Sequence, residues 1–262
     1  MKLFKPMLDA EGAMIRLQRI ITPRQPQIGK ITNVPSGEEI IAAIAKRHST
    51  ITVGFSCGKD SIGAWLACYG KFKRIIPVHF FLIPGLSFVE EALDYYQNAF
   101  KTRIYSVPHP YLYRALRGYT LQPPPRWPII DELTLPNPTK EEMRALVLEH
   151  DAGVKNPEGL YNAVGIRATD GVVRYTTVRK HGAIIEHTKI FYPIWDWRKG
   201  YLMQRIKQAG LKLPADYAMF GRSFDGVHME YITHIKAKYP KDYRTILDWF
   251  PLANLDLVRR AL

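Results

Sequence analysis

Cysteine is scarce in this sequence, where Cys57 and Cys68 are the only two among 262 residues. Two thiols are too few for a disulfide framework, a structural zinc site or an iron–sulfur cluster. The eight histidines do not have the spacing of metal ligands either. We therefore expect no metal centre built on cysteine or histidine. We also expect no disulfide between Cys57 and Cys68, because both lie on one predicted loop and helix.

Long apolar runs are also missing, because no uninterrupted stretch approaches the roughly 20 residues that a membrane-spanning helix needs. Residues 1–6 lack the apolar core of a secretory signal. The sequence therefore predicts no membrane partner and a cytoplasmic location. With 47% hydrophobic and 23% charged residues, the composition is that of an ordinary globular protein.

Acidic residues are outnumbered, since 37 Lys and Arg against 24 Asp and Glu give a net charge of +13. Such an excess attracts polyanions and makes nucleic acid a candidate partner. Residues 174–189 and 234–244 alternate cations with tyrosines, a mixture suited to gripping phosphates and stacking bases. A solvated lysine-rich surface explains the same segments, so both interpretations stay open.

Strand and helix signals alternate along the chain and predict an α/β fold with a parallel sheet. Apolar, β-branched runs predict strands at 51–56, 74–83, 103–107, 160–166 and 190–194. Helical patterns lie between and after them at 36–45, 61–69, 87–100, 139–149 and 198–209. The first and fourth of these helices open with capping boxes, Ser36 with Glu39 and Thr139 with Glu142, and Ser87 is the predicted N-cap of the third.

Other segments carry weaker signals. The proline-rich residues 122–128 predict irregular structure, because proline lacks the amide donor. Residues 170–189 predict a basic hairpin-like stretch, and residues 252–262 an amphipathic helix. We divide the chain into a lead-in at 1–35, a central α/β domain at 36–225 and a helical C-terminal extension at 226–262.

The loop after the first predicted strand is the candidate binding site. It comprises Ser56, Cys57, Gly58, Lys59, Asp60 and Ser61. A loop between a buried strand and a helix N-terminus presents unpaired amides and the positive end of the helix dipole to an anion. Glycine lets the backbone approach phosphate, the hydroxyls and the lysine add donors, and the aspartate caps the helix or holds magnesium.

Two further features of this loop narrow the interpretation. The Walker A loop needs four residues between its glycines, but Gly54 and Gly58 enclose three, and Asp60 occupies the position of the Ser/Thr. Kinase and GTPase classes are therefore excluded. Cys57 at a helix N-terminus suggests either a reactive thiol with a lowered pKa or a small residue replacing glycine.

The loop resembles the S-x-G-x-D-S signature of the PP-loop superfamily, the ATP pyrophosphatases. Further segments are similar to its phosphoadenosine phosphosulfate (PAPS) reductase branch: the turn at Gly85 that lacks the branch's acid, then Gly165-Ile166-Arg167, then Pro193–Trp197. The resemblance spans roughly residues 36–225. It implies an adenine nucleotide alpha-hydrolase-like fold, a parallel five-stranded sheet with helices on both faces.

The resemblance also implies a ligand, either ATP or a PAPS-like adenine nucleotide, with Mg²⁺. The loop would hold phosphate or sulfate with Gly165 and Arg167, while Phe81 and Gly85 border the adenine and ribose. Lys59, Asp60 and Arg167 would be catalytic, and Asp60 would be the metal ligand. Arg167 paired with a carboxylate is the structural alternative. Asp196 would orient the nucleotide site or cap the helix that begins near Arg198.

Two functions follow from the resemblance. One is an enzyme that cleaves the nucleotide at the α-phosphate and adenylates an acceptor, such as a nucleic-acid base. The other is a nucleotide-binding accessory module that acts with a partner protein. Thiol-dependent PAPS reduction is not expected, because no cysteine follows Cys68 in the sequence.

Overall fold

A computed structural model describes residue 31, residues 33–227 and residues 229–255 of the chain. Within them six strands form one sheet: β1 Thr50–Gly54, β2 Arg74–Phe81, β3 Tyr105–Pro108, β4 Asn162–Ala163, β5 Ile184–Ile185 and β6 Ile190–Phe191. The first helices are α1 Gly37–Ala45, α2 Lys59–Cys68, α3 Ser87–Phe100, α4 Pro110–Arg117, α5 Trp127–Glu132 and α6 Lys140–His150. They are followed by α7 Val172–His181, α8 Lys199–Gln208, α9 Ala215–Phe220, α10 Met229–Lys238 and α11 Pro240–Trp249.

The strands have the order β3-β2-β1-β4-β6-β5. The first five in this order pair in parallel, and only β5 is antiparallel to its neighbour β6. The predicted α/β class and the parallel five-stranded sheet are confirmed, with one antiparallel edge strand added. The four residues between β5 and β6 explain this, because so short a connection can join only antiparallel strands.

Residues 170–189 are in large part helical, so the prediction of a hairpin-like stretch is wrong for α7 and right only for the turn from β5 to β6. Valine and threonine at 172, 173, 176 and 177 favour strands as isolated residues. In the helix nearly all of α7 is exposed and only Val178 is buried. The helix ends at Gly182, whose φ of 76° is one that residues with a side chain rarely adopt.

The proline-rich segment is the second correction. Residues Pro124–Arg126 form a 3₁₀-helix that leads directly into α5, whereas we predicted irregular structure. Proline is tolerated in the first turn of a helix, where its missing amide would have no intrahelical acceptor. The prolines at 124, 125 and 128 all occupy such positions.

The two capping boxes are confirmed. Ser36 N donates to Glu39 Oε2 at 2.7 Å, and Glu39 N donates to Ser36 Oγ at 3.2 Å. Thr139 and Glu142 make the same pair of bonds at 2.7 and 3.1 Å. These local bonds fix where α1 and α6 begin.

Three groups of buried side chains hold the layers together. The largest lies around β1, α2, α3 and α8, and includes the stacked pair Trp65 and Phe100, with ring centroids 4.4 Å apart. A second group joins α10 and α11 to Ile83, Leu86 and Phe88, which follow β2. The C-terminal helices therefore support the end of the second strand.

Some predictions cannot be compared with coordinates. The lead-in at 1–35 lies almost wholly outside the described residues, and so does most of the amphipathic segment 252–262. Among the helices that are described, none combines the length and apolarity that crossing a bilayer requires.

The N-terminus of α3 has a different cap from the predicted one. Ser87 is the first helical residue, and Leu86 is the N-cap, which offers no side-chain acceptor. Asp242 of α11 supplies the acceptor instead: its Oδ2 accepts from Ser87 Oγ at 2.8 Å and from Phe88 N at 3.2 Å. A carboxylate is favoured there by the helix dipole.

Replacing Asp242 tests this long-range cap. We expect Asp242→Ala to lower the free energy of unfolding by about 2 kcal/mol, since it removes a buried, charged acceptor from a helix N-terminus. Asp242→Asn keeps one acceptor oxygen and is expected to lose about half as much. Urea unfolding measures both, and Asp248→Ala on the exposed face of α11 is the control; equal effects at 242 and 248 would contradict the cap.

Candidate functional site

A cleft of about 890 Å³ lies at the carboxyl ends of the parallel strands. All six residues of the 56–61 loop line it, together with Phe81 at the end of β2 and Gly165 after β4. In open parallel sheets ligands bind at this edge, outside the strand ends. The structure thus brings most of the predicted site residues to one concave surface.

The 56–61 loop leads from β1 into α2 as a compact turn around Ser61. The Ser61 hydroxyl donates to Gly58 O at 2.8 Å and accepts from Ser56 N at 3.2 Å. Gly58 is the N-cap of α2 and has no side chain to cap this end, and among the first amides of the helix only that of Lys59 has a side-chain acceptor in the described part of the chain. The amides of Asp60 and Ser61 lie in the first helical turn, where no carbonyl of the helix can accept from them.

This arrangement has a plain electrostatic consequence. Amides of an uncapped helix N-terminus carry partial positive charge and favour a bound anion. A side chain at residue 58 would interfere, because a Cβ there would lie 3.0 Å from Ser223 Oγ and 3.2 Å from Ser56 Oγ. A side chain at residue 58 would therefore crowd the serine hydroxyls beside the loop.

Cys57 does not have the reactivity that its place in the sequence suggested. Its backbone is left-handed, with a φ of 59°, and its side chain is buried. Burial, reinforced by the nearby Asp216 carboxylate, raises the pKa of the thiol. The prediction of a lowered pKa is therefore wrong. The left-handed backbone also explains why glycine would suit this position.

Asp60 lies in a chain of ion pairs. Its Oδ2 accepts from Lys59 Nζ at 2.6 Å and its Oδ1 from Arg167 Nε at 2.7 Å. Arg167 also binds Asp170, whose second oxygen pairs with Arg174 at 2.7 Å. Alternating cations and carboxylates thus connect the loop to the start of α7.

Arg167 lies beneath the loop, outside the cleft lining, with only 2% of its side chain exposed. It makes the carboxylate pairing that was the structural alternative to a phosphate contact. A buried guanidinium is acceptable here because Asp60 and Asp170 both neutralise it. Its direct role toward a ligand remains a prediction.

A magnesium ion at Asp60 is not supported by this geometry. Both carboxylate oxygens are already engaged by cations, at 2.6 and 2.7 Å. Mg²⁺ needs free oxygen ligands at short distance. The described residues also contain no group of three His, Cys, Asp or Glu side chains placed to hold a metal. The residues present therefore do not fit the implied metal at this position.

Two other predicted positions have structural roles. Gly85 lies in the turn after β2, with a φ of 73° and open space where a Cβ would be. It is outside the cleft lining, and its role toward a nucleotide stays a prediction.

Asp196 neither lines the cleft nor caps α8, whose N-cap is Arg198 without a side-chain bond. Asp196 Oδ2 accepts from Gly37 N at 3.2 Å and so holds the start of α1.

The loop is also held from a helix that the motifs did not indicate. Tyr217 of α9 accepts a hydrogen bond from Lys59 N at 3.0 Å. Its neighbour Asp216 lines the cleft, accepts from Phe224 N at 2.8 Å through Oδ2, and has no partner for Oδ1 among the described residues. An unpaired buried acceptor in a cleft is ready to receive a donor from a ligand. The pair carries no sequence signal beyond a short helix after Pro214.

Gly165 allows the segment after β4 to pack closely against the backbone of the 56–61 loop. A Cβ at this residue would lie 2.3 Å from Asp60 O and 2.8 Å from Ser61 N. Both are backbone atoms, so no side-chain movement can relieve the contact. Only glycine allows the segment after β4 to support the start of α2.

We expect Gly165→Ala to destabilise the protein by about 1–3 kcal/mol, because the added methyl forces the α2 N-terminus away from the strand. Gly54→Ala is the matched control, since a Cβ there meets nothing closer than 3.9 Å. Thermal and urea unfolding measure the two. Similar losses in both variants would show that the contact at Gly165 is relieved cheaply.

Asp216 gives the protein a pH-dependent stability. Burial raises its pKa to about 6. A carboxyl whose folded pKa is raised binds more protons when folded, so its charge destabilises the fold as pH rises from about 4 through 6. We expect Asp216→Asn to raise the melting temperature at pH 7.5, by an amount that corresponds to roughly 2 kcal/mol, and much less at pH 4.5. An equal shift at both pH values would contradict this account.

Neither a protein-family model nor a curated protein matches this sequence. The fold is similar to that of phosphoadenylyl-sulfate (PAPS) reductase from Candida auris, with 14% identity, a TM-score of 0.42, and coverage of 85% of this chain and 97% of the reductase. It is also similar to the U34-tRNA thiolase NcsA from Methanococcus maripaludis, with 13% identity, a TM-score of 0.42, and coverage of 93% and 79%.

At this identity and TM-score, the two likenesses carry no argument about chemistry. The α/β class is established by the order and direction of the strands in the sheet itself. What the site binds has to be argued from its own residues.

Proposed function

We propose that this protein binds an adenine nucleotide, ATP or a PAPS-like compound, with its phosphate or sulfate tail at the 56–61 loop. The observation that carries the proposal is the N-terminus of α2, which opens into the cleft at the strand ends and whose Asp60 and Ser61 amides have no side-chain acceptor among the described residues. Backbone amides, the exposed Ser56 hydroxyl and the Lys59 ammonium supply donors of the kind that phosphate oxygens accept.

The rest of the cleft suits a nucleoside. Aromatic and aliphatic side chains from the end of β2 and the start of α3 line it, namely Phe80, Phe81, Ile83, Leu86 and Phe88. Such a wall favours a flat base, and the Asp216 carboxylate supplies an acceptor for an amino or hydroxyl donor. These features support the proposal for the nucleoside part.

With ATP, we propose adenylation of an acceptor. A nucleophilic atom of the acceptor bonds to the α-phosphorus, the bond from that phosphorus to its β-bridging oxygen breaks, and pyrophosphate leaves with the electron pair. The first-turn amides and Lys59 stabilise the charge on the leaving group. Magnesium remains an expectation tied to the nucleotide's own phosphates, and no step is assigned to it because Asp60 has no oxygen to offer.

The acceptor in this proposal is a nucleic-acid base, which the net charge of +13 supports. Helix α7 adds exposed Arg179, Lys180 and His181, and begins at the cleft, where Arg174 contributes to the lining. The tyrosine-containing helices α10 and α11 are a second basic surface, with Lys236 Nζ 5.4 Å from the centre of the Tyr243 ring.

A nucleotide-binding accessory module is the second candidate. The observation that favours it is the saturation of Asp60 by Lys59 and Arg167, which leaves a binding loop without an evident metal ligand. Such a module would hold the nucleotide for a partner protein. Thiol reductase chemistry is not proposed, because both cysteines are buried and burial raises the pKa of each thiol.

Substitutions in the loop test the binding site. We expect Ser61→Ala and Gly58→Val to weaken the binding of ATP or PAPS at least tenfold, since one removes the hydroxyl that organises the loop and the other fills the cradle. Isothermal calorimetry measures the affinity, and circular dichroism checks that the fold survives. Ser106→Ala on exposed β3 is the control, and unchanged affinity in the loop variants would reject the proposal.

Pyrophosphate release from ATP separates the two candidate functions. An adenylating enzyme releases pyrophosphate when its acceptor is supplied as RNA or DNA, whereas an accessory module binds ATP and releases none without a partner protein. The assay uses the full chain with each nucleic acid in turn.

A further inference from the structure

Arg144 is a buried cation that lacks a counter-ion. It belongs to α6, lines the cleft, and is only 7% exposed. Across the described residues it makes neither an ion pair nor a hydrogen bond. The exposed Glu141 of the preceding turn acts on it only at longer range, and desolvation, the larger effect, lowers the pKa of the guanidinium.

An unpaired buried guanidinium is costly to keep, because desolvation is not repaid by a partner. The other buried arginine near the cleft shows the contrast, since Arg167 has two carboxylates around it. Arg144 instead faces a solvent-filled cleft. A ligand that carries negative charge into the cleft would supply the counter-ion that the Arg144 guanidinium lacks.

Two more donors lie on the same wall of the cleft. Lys140 is one helical turn before Arg144, on the same face of α6, and its Nζ lies 5.8 Å from the centre of the Phe80 ring. His109, which follows β3, lies against the other part of this ring, with centroids 5.9 Å apart. Like charges one turn apart destabilise a free helix, so an anion bound beside Lys140 and Arg144 would relieve their repulsion.

His109 is a neutral donor at this wall. Burial, then the charges of Lys140 and Arg114, lower the pKa of His109 to about 4. Its Nδ1 accepts from Tyr111 N at 2.9 Å, which leaves the proton on Nε2. A neutral imidazole N–H can donate to an oxyanion without adding to the crowding of positive charge.

The wall is separate from the 56–61 loop. The loop follows β1, whereas His109 follows β3, which is two strands away in the sheet. At about 4.8 Å per strand, the two positions are about 10 Å apart along the same edge. One cleft therefore has cationic donors at both ends.

We propose that Arg144, Lys140 and His109 form a second oxyanion subsite, which binds a phosphate or sulfate group at the β3 end of the cleft. The inference rests on the proposed function for the loop end of the cleft. The oxyanion has two potential sources: a second phosphate on the same nucleotide, or a separate anionic substrate that is bound beside it.

The test is the variant Arg144→Met, which keeps the length of the side chain and removes the charge. Arg103→Met, at an exposed arginine outside the cleft lining, is the matched control. Inorganic phosphate is titrated first by calorimetry, and we expect Arg144→Met to bind one phosphate fewer than the wild type and the control. The result does not depend on any nucleotide.

Nucleotides then identify the source of the oxyanion. If it belongs to the nucleotide, adenosine 3′,5′-bisphosphate binds the wild type at least tenfold more tightly than AMP, and Arg144→Met abolishes the difference. If it belongs to a second substrate, the two nucleotides bind equally, and phosphate still binds the AMP-saturated wild type but not the variant. In both cases AMP affinity is unchanged by Arg144→Met.

Thermal unfolding gives an independent readout. Removing an unpaired buried charge is expected to raise the melting temperature of the ligand-free variant, while phosphate raises that of the wild type more than that of the variant. Equal phosphate binding by Arg144→Met and the wild type overturns the subsite. Failure of both ATP and PAPS to bind the wild type overturns the proposed function instead, so the two failures are distinguishable.

Discussion

The site depends on holding the N-terminus of α2 open at the end of β1. Three contacts do this from different parts of the chain. Gly165 supports the backbone of Asp60 from below, Arg167 binds the Asp60 side chain, and Tyr217 accepts from the Lys59 amide. Tyr217 takes up the Lys59 amide, but none of the three contacts supplies an acceptor for the amides of Asp60 and Ser61, which follow it in the first turn. The donors that would meet an anion are therefore fixed in position before a ligand arrives, which reduces the entropy lost on binding.

The rest of the molecule is arranged around this opening. The parallel strands bring the loop after β1 and the end of β2 to one edge, and α9 with residues 222–225 lines the cleft beyond them. The cleft has Lys59 at one end, Lys140 and Arg144 at the other, apolar side chains between them and Asp216 as a buried acceptor. Its lining also includes four further acids, Asp60, Glu141, Asp170 and Asp225. Such a distribution suits a ligand with a flat apolar part and anionic groups.

The sequence predicted what depends on short-range patterns. The motif at 56–61 located the loop, the capping boxes located α1 and α6, and the alternation of strands and helices gave the parallel sheet. Long-range contacts were beyond it, because Tyr217 reaches Lys59 across 158 residues and Asp242 reaches Ser87 across 155. The sequence left Cys57 open between a reactive thiol and a small residue replacing glycine for the same reason: a helix N-terminus is visible in sequence, whereas the packing that buries the side chain is not. The valines and threonines of α7 favour strands as isolated residues, but they lie in a helix where all except Val178 are at least partly exposed.

The pairing of Asp60 has a consequence for exchange of the ligand. This carboxylate has two cationic neighbours, one exposed to the cleft and one buried beneath it. When an oxyanion draws the Lys59 ammonium toward itself, the Arg167 guanidinium stays in place and continues to neutralise Asp60. Lysine can thus change partners between an internal acid and a visiting one, and neither the filled nor the empty loop leaves a lone negative charge behind.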